Sequence, residues 1–385
     1  MKKNVLMIAS EFPPCGGGGV GRISAIAESL VKNGFRLTVI TANKEHFSIL
    51  DDSLMFSHKN LEIVTVNSFP IRKILWRIRR YIPSFKYLDN YSLWSVLAKI
   101  KINSLQKIKS FDMVISSYPS KSNHSIAFFI SKKYDIPWVA DYRDPPSFLY
   151  DSSQSKQSCF YNYAKQAMIN CVTTKNTKEM ISSNLQVAHE KIHVIQNGCS
   201  EIASTINQTK PNNGIFELVH TGSFYENGRD INQLIEAIDL LSIPLRMRFI
   251  GDEPYNSTKE LLLKMNNSER IEFISYMNSD EVLKISAACS ALIVVQGELF
   301  TNQIPGKIFE YLALEKPILL ISNEGSSTHL LTLDEPNVIF AQYGNVDSIK
   351  LGLLNLTIHK TVEIDRKKYT REKMAKNFIS LLDSI

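Results

Sequence analysis

Short runs rich in Val, Ile and Leu alternate with segments of helical period from one end of the chain to the other. That alternation marks parallel sheets covered by helices. In the first half it predicts strands at Asn4–Ala9, Arg36–Thr41, Leu61–Val66, Asp112–Ser116, Trp138–Asp141, Cys171–Thr174 and His193–Ile195, with helices at Gly21–Lys32, Ser122–Lys133 and Asn176–Leu185. The polar, aperiodic stretch Ser200–Gly214, which bears Pro and Asn, breaks the pattern. It then restarts, with strands predicted at Phe216–His220, Arg246–Ile250, Ile271–Ile274, Ala291–Val295 and Pro317–Ile321 and helices at Asp230–Leu241, Thr258–Met265, Ser279–Ala287 and Lys307–Leu314. A last helical stretch, Asp365–Leu382, either closes the second half or crosses back to brace the first. The expected class is α/β, with one domain over 1–200, a second over 201–364 and a C-terminal helix over 365–385. Two such domains are expected to enclose a cleft. Ligands of open α/β sheets lie beyond the carboxyl ends of the strands, so the chemistry belongs in the loops that follow strands.

Composition narrows the class. The 385 residues allow two sizeable cores, and a hydrophobic content of 44% excludes a disordered chain. No apolar run reaches the roughly 18 residues of a membrane-spanning helix. The net charge of +6 hides a division: residues 1–200 carry 26 Lys and Arg against 14 Asp and Glu, a net of +12, and the remainder carries −6. Residues 70–110 hold ten Lys and Arg and one Asp, a net of +9. Lys2 and Lys3 imitate the start of a signal peptide, but the apolar stretch Val5–Ala9 is too short for one, so a cytoplasmic location is expected. The five cysteines are odd in number, widely spaced and without a C-x-x-C pair. That spacing favours free thiols over a disulfide framework or a zinc site.

Four loops carry candidate chemistry. The first runs from Ser10 through Glu11-Phe12-Pro13-Pro14-Cys15 to a glycine run, Gly16 to Gly19, and Gly21. Gly16, Gly18 and Gly21 formally satisfy G-x-G-x-x-G, but six residues separate the strand from Gly16 and no acid follows the second strand. Both facts count against a dinucleotide site. A glycine run before a helix still lets backbone N–H groups approach a phosphate or a sugar hydroxyl. The second loop is Asp141-Tyr142-Arg143-Asp144. Here Arg143 meets a phosphate or a carboxylate orients an acceptor hydroxyl, with Asp144 the better ligand candidate. The alternative for Asp141 is a structural one, capping the loop and pairing with Arg143. The third loop, His220-Thr221-Gly222-Ser223 through Arg229-Asp230, is expected to put Arg229 at a helix amino end, where its charge opposes the dipole unless a phosphate is bound. In the fourth, Pro305-Gly306 opens a helix on which Lys307 and Glu310 lie three apart. That face suits a diphosphate and a ribose, or is a surface pair worth a few tenths of a kcal/mol.

Taken in order, these loops and Val194-Ile195-Gln196-Asn197-Gly198 resemble the family 4 retaining glycosyltransferases, enzymes of the GT-B fold. Such a fold has two facing Rossmann-like domains with a central cleft. Pro305-Gly306-Lys307-Ile308-Phe309-Glu310-Tyr311-Leu312 is similar to a bacterial branch acting on surface polysaccharides. The resemblance implies an acceptor-binding first domain and a second domain that holds a nucleotide-diphosphate sugar. By position, Gly17, Gly18 and Gly19 lie near the donor, with Gly222, Ser223, Arg229, Lys307 and Glu310. Glu310 takes the ribose; Lys307 and Arg229 take the diphosphate. Three departures stand out: Asn302 replaces the acid expected eight positions before Glu310, Gly222-Ser223 and Asn227-Gly228 replace the usual basic pair, and Arg143-Asp144 replaces a His-Asp pair.

The implied reaction is hexosyl transfer with retention and without a metal or other cofactor. Asp144, Arg229 and Lys307 are the expected catalytic residues; Glu11, Asp141 and Arg143 are expected at the acceptor. No Asp-x-Asp occurs in the chain. The expected partners are a nucleotide-diphosphate sugar, a saccharide or lipid-linked acceptor, and an anionic membrane surface met by residues 70–110, on the inner face of the cell membrane. Within that segment, 69–83 mixes cations with large apolar residues at near-helical spacing. No nucleic-acid motif accompanies the charge. The rival readings are a GT-B nucleotide-sugar epimerase and a sugar-binding protein with a degenerate donor site.

Overall fold

The computed structural model describes residues 3–17, 19–67, 89–146, 163–207, 214–224, 226, 228–359 and 363–383. The chain divides into two compact units, Met1–Asn197 with Met374–Ile385, and Gly198–Lys373.

In the first unit the strands are β1 (Asn4–Ile8), β2 (Arg36–Ala42), β3 (Leu61–Val66), β4 (Met113–Tyr118), β5 (Trp138–Tyr142), β6 (Ile169–Val172) and β7 (Ile192–Val194). They pair in parallel in the order β3-β2-β1-β4-β5-β6-β7. In the second unit β8 (Phe216–Gly222), β9 (Leu245–Gly251), β10 (Ile271–Ser275), β11 (Ala291–Gln296), β12 (Ile318–Ser322) and β13 (Val338–Gln342) form a six-stranded sheet ordered β10-β9-β8-β11-β12-β13. Both orders reverse direction beside their first strand, at β1/β4 and at β8/β11. These are the switch points where α/β sheets open a crevice for ligands.

The inner strands β1, β4, β5, β11 and β12 read as buried runs because helices cover both sheet faces, whereas β3, β10 and β13 are more exposed. Val5, Met7, Met113, Ile115 and Val139 face one core of the first unit, and Leu6, Ile8, Val114 and Trp138 face the other. Met374, Phe378, Ile379 and Leu382, spaced at helical period on the Arg371–Leu382 helix, complete the first of these cores.

Several elements depart from the sequence reading for identifiable reasons. Strand β6 begins two residues earlier than predicted, at Ile169, because buried Asn170 donates to the Ala164 carbonyl and so sits in the sheet. It ends before Thr174, whose hydroxyl instead accepts from the Thr177 N–H and caps the next helix. Glu201–Thr205, read as part of the aperiodic break, is a short helix with Ala203 buried in the second unit. Five residues are too few to show a period. Strand β13 and the Ser92–Lys109, Ser327–Thr332 and Val346–Ile358 helices were not among the elements predicted. The amphipathic stretch 69–83 lies outside the described residues.

Candidate functional site

At the switch point of the second unit, two side chains of the Gly306–Ala313 helix clamp the end of β8. Lys307 and Tyr311, four apart, project from one face of that helix. The Lys307 Nζ donates to the Thr221 carbonyl at 2.6 Å and lies 3.0 Å from His220 Nε2. The Tyr311 hydroxyl accepts from the Thr221 N–H at 3.0 Å and bonds its Oγ1 at 2.9 Å. Thr221 is therefore held through its N–H, its hydroxyl and its carbonyl. The next residue, Gly222, adopts a φ of +83°, which favours glycine.

Lys307 is half-buried, and its hydrogen-bonding partners among the described residues are neutral. Burial and the nearby Arg229 charge push its ammonium well below the ordinary lysine range. A cation held dry, beside a second cation, is a site that an anion stabilises. Arg229 does not start a helix as expected. The Asn232–Asp239 helix begins three residues later, its first N–H bonded to Asp230 Oδ1, so the dipole argument does not apply. Its guanidinium instead lies 4.2 Å from the centre of the Phe300 ring.

Phe300 is set by its neighbours: Gln296, at the end of β11, donates to the carbonyls of Phe300 and Gln303, and the Gly297 N–H donates to Gly228 at 2.6 Å. The loops after β8 and β11 are thereby joined at the switch point. Glu310 forms no ion pair with Lys307 among the described residues, so the surface-pair alternative is not what the fold makes. Glu310 is half-buried; burial pushes its carboxyl up, opposed by Arg371. Ser223 is half-buried and Gly222 exposed beside this cluster.

In the first unit, Glu11, Arg143, Tyr91 and Asn123 line a pocket of about 180 Å³ at the ends of β1, β4 and β5. Asn123 ties its walls together, accepting from the Ser10 N–H and donating to the Ser117 carbonyl. Glu11 accepts from the Tyr91 hydroxyl at 3.2 Å and from Arg143 at 3.5 Å. Arg143 Nε is 4.0 Å from Asp144, whose side chain is about half exposed. A Cβ on Gly19 would collide with Arg143 Nη1, so that position admits the guanidinium in this place only as glycine. Gly17 has a φ of +109°; Gly18 is outside the described residues.

Asp141 departs from the sequence reading. It faces neither an acceptor nor Arg143: it is fully buried and bound by Arg22 at 2.7 Å. Sequence reasoning also missed His220, Tyr311, Tyr91 and Asn123. His220 stood inside a loop already singled out, but nothing in the sequence pairs it with Lys307, 87 positions away.

Residues 203–377 match the family model described as glycosyl transferases group 1. No curated protein matches the chain by sequence. Among solved structures, HepE from Anabaena, determined with UDP, is 13% identical with a TM-score of 0.69, covering 99% of this chain and 100% of its own. HepE has also been solved with UDP-glucose. The lipopolysaccharide outer core galactosyltransferase WaaB is 14% identical with a TM-score of 0.68, and 99% of each chain is covered. The UDP-GlcNAc 2-epimerase of Methanocaldococcus jannaschii is 13% identical with a TM-score of 0.59, with both chains fully covered. The likeness establishes a GT-B fold of two parallel Rossmann-like sheets. Over residues 203–377, about 45% of the chain, the sequence is similar to the group 1 glycosyl transferases.

Proposed function

We propose that the enzyme transfers a hexose, with retention and without a metal, from a nucleotide-diphosphate sugar to a hydroxyl of a saccharide acceptor in bacterial surface-polysaccharide synthesis. The observation that carries this reading is the half-buried Lys307 ammonium, bonded to neutral partners beside Arg229 at the β8/β11 switch point. Lys307 and Arg229 stabilise the charge that builds on the departing diphosphate, a task that fixed donors in a dry site do best. Glu310 binds the ribose, and the turn at Gly222 and Ser223 leaves backbone close to the phosphates.

The Glu11–Arg143 pocket takes the acceptor, with Asp144 orienting its hydroxyl. The lining favours hydroxyl groups, because Glu11 and Asp89 bring two carboxylates against one guanidinium. The leaving diphosphate then receives the acceptor proton as the new bond forms on the same face. A uridine diphosphate donor is the first to test, since HepE was solved with UDP-glucose.

A lipid-linked acceptor would bring the enzyme to the inner face of the membrane. Support comes from the Ser92–Lys109 helix, on which Leu93, Val96 and Ile100 are 41%, 53% and 62% exposed. Spaced i, i+3 and i+7, they share one face, as in helices that lie in a bilayer surface. The test of the whole reading is release of nucleoside diphosphate across a panel of nucleotide sugars, by the native enzyme and by Lys307→Ala.

A further inference from the structure

We propose that His220 is a positioning residue for the transfer, holding the Lys307 ammonium in place by accepting one of its hydrogens; this rests on the donor-site reading above. His220 Nδ1 lies 3.0 Å from the Ile293 carbonyl, a group that can only accept, so Nδ1 carries the ring hydrogen. In a neutral imidazole Nε2 is then left with a lone pair, and the Lys307 Nζ stands 3.0 Å from it.

The ring is fully buried, 5.8 Å from Phe249, with Lys307 and Arg229 both opposing a positive charge on it. It is therefore a fixed acceptor. An ammonium has three hydrogens. His220 and the Thr221 carbonyl engage two, at positions fixed by β11 and by the Tyr311 clamp, which leaves the third for a phosphate oxygen. A flexible lysine becomes a donor preset in direction, which is how an electrostatic site avoids reorganising during the reaction.

The experiment compares His220→Phe and His220→Gln in the full chain, using the nucleotide sugar that the panel finds active. Phe fills the space without an acceptor; Gln places an amide oxygen where Nε2 stood. His220→Phe is expected to lower kcat about 10- to 100-fold with little change in acceptor KM. It should also move the alkaline limb of the kcat–pH profile to lower pH, because the ammonium loses a bond that favours its charged form. His220→Gln should recover most of both. Should the Phe variant not fold, His220→Asn, which retains a donor toward Ile293 but ends short of Lys307, gives the same test.

A wild-type kcat and alkaline limb in the variant lacking the acceptor would overturn the proposal. So would equal losses in all variants with an unmoved alkaline limb, the mark of a purely structural histidine. If Lys307→Ala is itself fully active, the donor-site reading falls; if it is dead while His220→Phe is active, only this inference does.

Discussion

Arg22 and Asp141 form a two-pronged ion pair with neither side chain exposed: Nη2 reaches Oδ1 at 2.7 Å and Nε reaches Oδ2 at 3.1 Å. The remaining guanidinium nitrogen donates to the carbonyls of Ile195 and Gln196, each at 3.0 Å. One side chain thus joins the helix after the glycine run, the end of β5 and the segment leaving β7. Removing one partner strands the other charge in the core. Asp141→Ala should therefore lower the stability of the first unit by about 3–5 kcal/mol, read as a fall in its thermal transition. A wild-type melting curve would contradict the structural role given to Asp141.

Gly19 and Arg143 supply a test of the acceptor pocket. In Gly19→Ala the added methyl occupies the place of the guanidinium, so Arg143 must leave Glu11. The fold should tolerate this, because the group displaced is the far end of a flexible side chain. The acceptor KM should rise about tenfold, the loss of roughly one good hydrogen bond to a charged group. An unaltered acceptor KM would remove Arg143 from the acceptor site.

The depressed ionisation of Lys307 has a pH consequence with a definite sign. Its folded value lies below that of a free lysine, and a bound diphosphate, by favouring the charged form, raises it. Binding then takes up a proton above the free-enzyme value, so affinity falls as pH rises. Calorimetry with UDP, above the pH at which its own phosphate is fully ionised, should show affinity weakening well before an ordinary lysine titrates. In Lys307→Met that slope should vanish. A flat profile in the native enzyme contradicts the contact.

Much of the frame was legible in the sequence. Apolar runs placed β1, β5 and β11 within about two residues, because a strand buried on both faces carries its own signature. The loops after them followed from the switch-point rule. What could not be read was pairing at a distance. Nothing in Arg143-Asp144 reveals that Asp141 belongs to Arg22, 119 positions earlier. Nor does the end of β8 reveal that His220 and Thr221 answer to Lys307 and Tyr311. At Arg229 the difference lies in a boundary: two more residues of loop before the helix replace the expected dipole conflict with a cation held against Phe300.

The exposed face of Leu93, Val96 and Ile100 bears on the membrane. Vesicles containing anionic phospholipid should sediment the protein at low salt, less so at high salt, since the cations of 70–110 are screened. Ile100→Glu should weaken sedimentation at low salt while leaving turnover of a soluble acceptor intact. Failure to sediment at low salt would remove the membrane from the account.

The central claim is that Lys307 and Glu310 hold the donor, and one measurement bears on it most directly: nucleoside diphosphate release from the active nucleotide sugar by native enzyme, Lys307→Ala and Glu310→Ala, with folding checked by circular dichroism. Lys307→Ala is expected to lower kcat by about 100-fold or more and Glu310→Ala to reduce turnover severely, in both cases with the fold retained. Folded variants that both turn over at the native rate would contradict it.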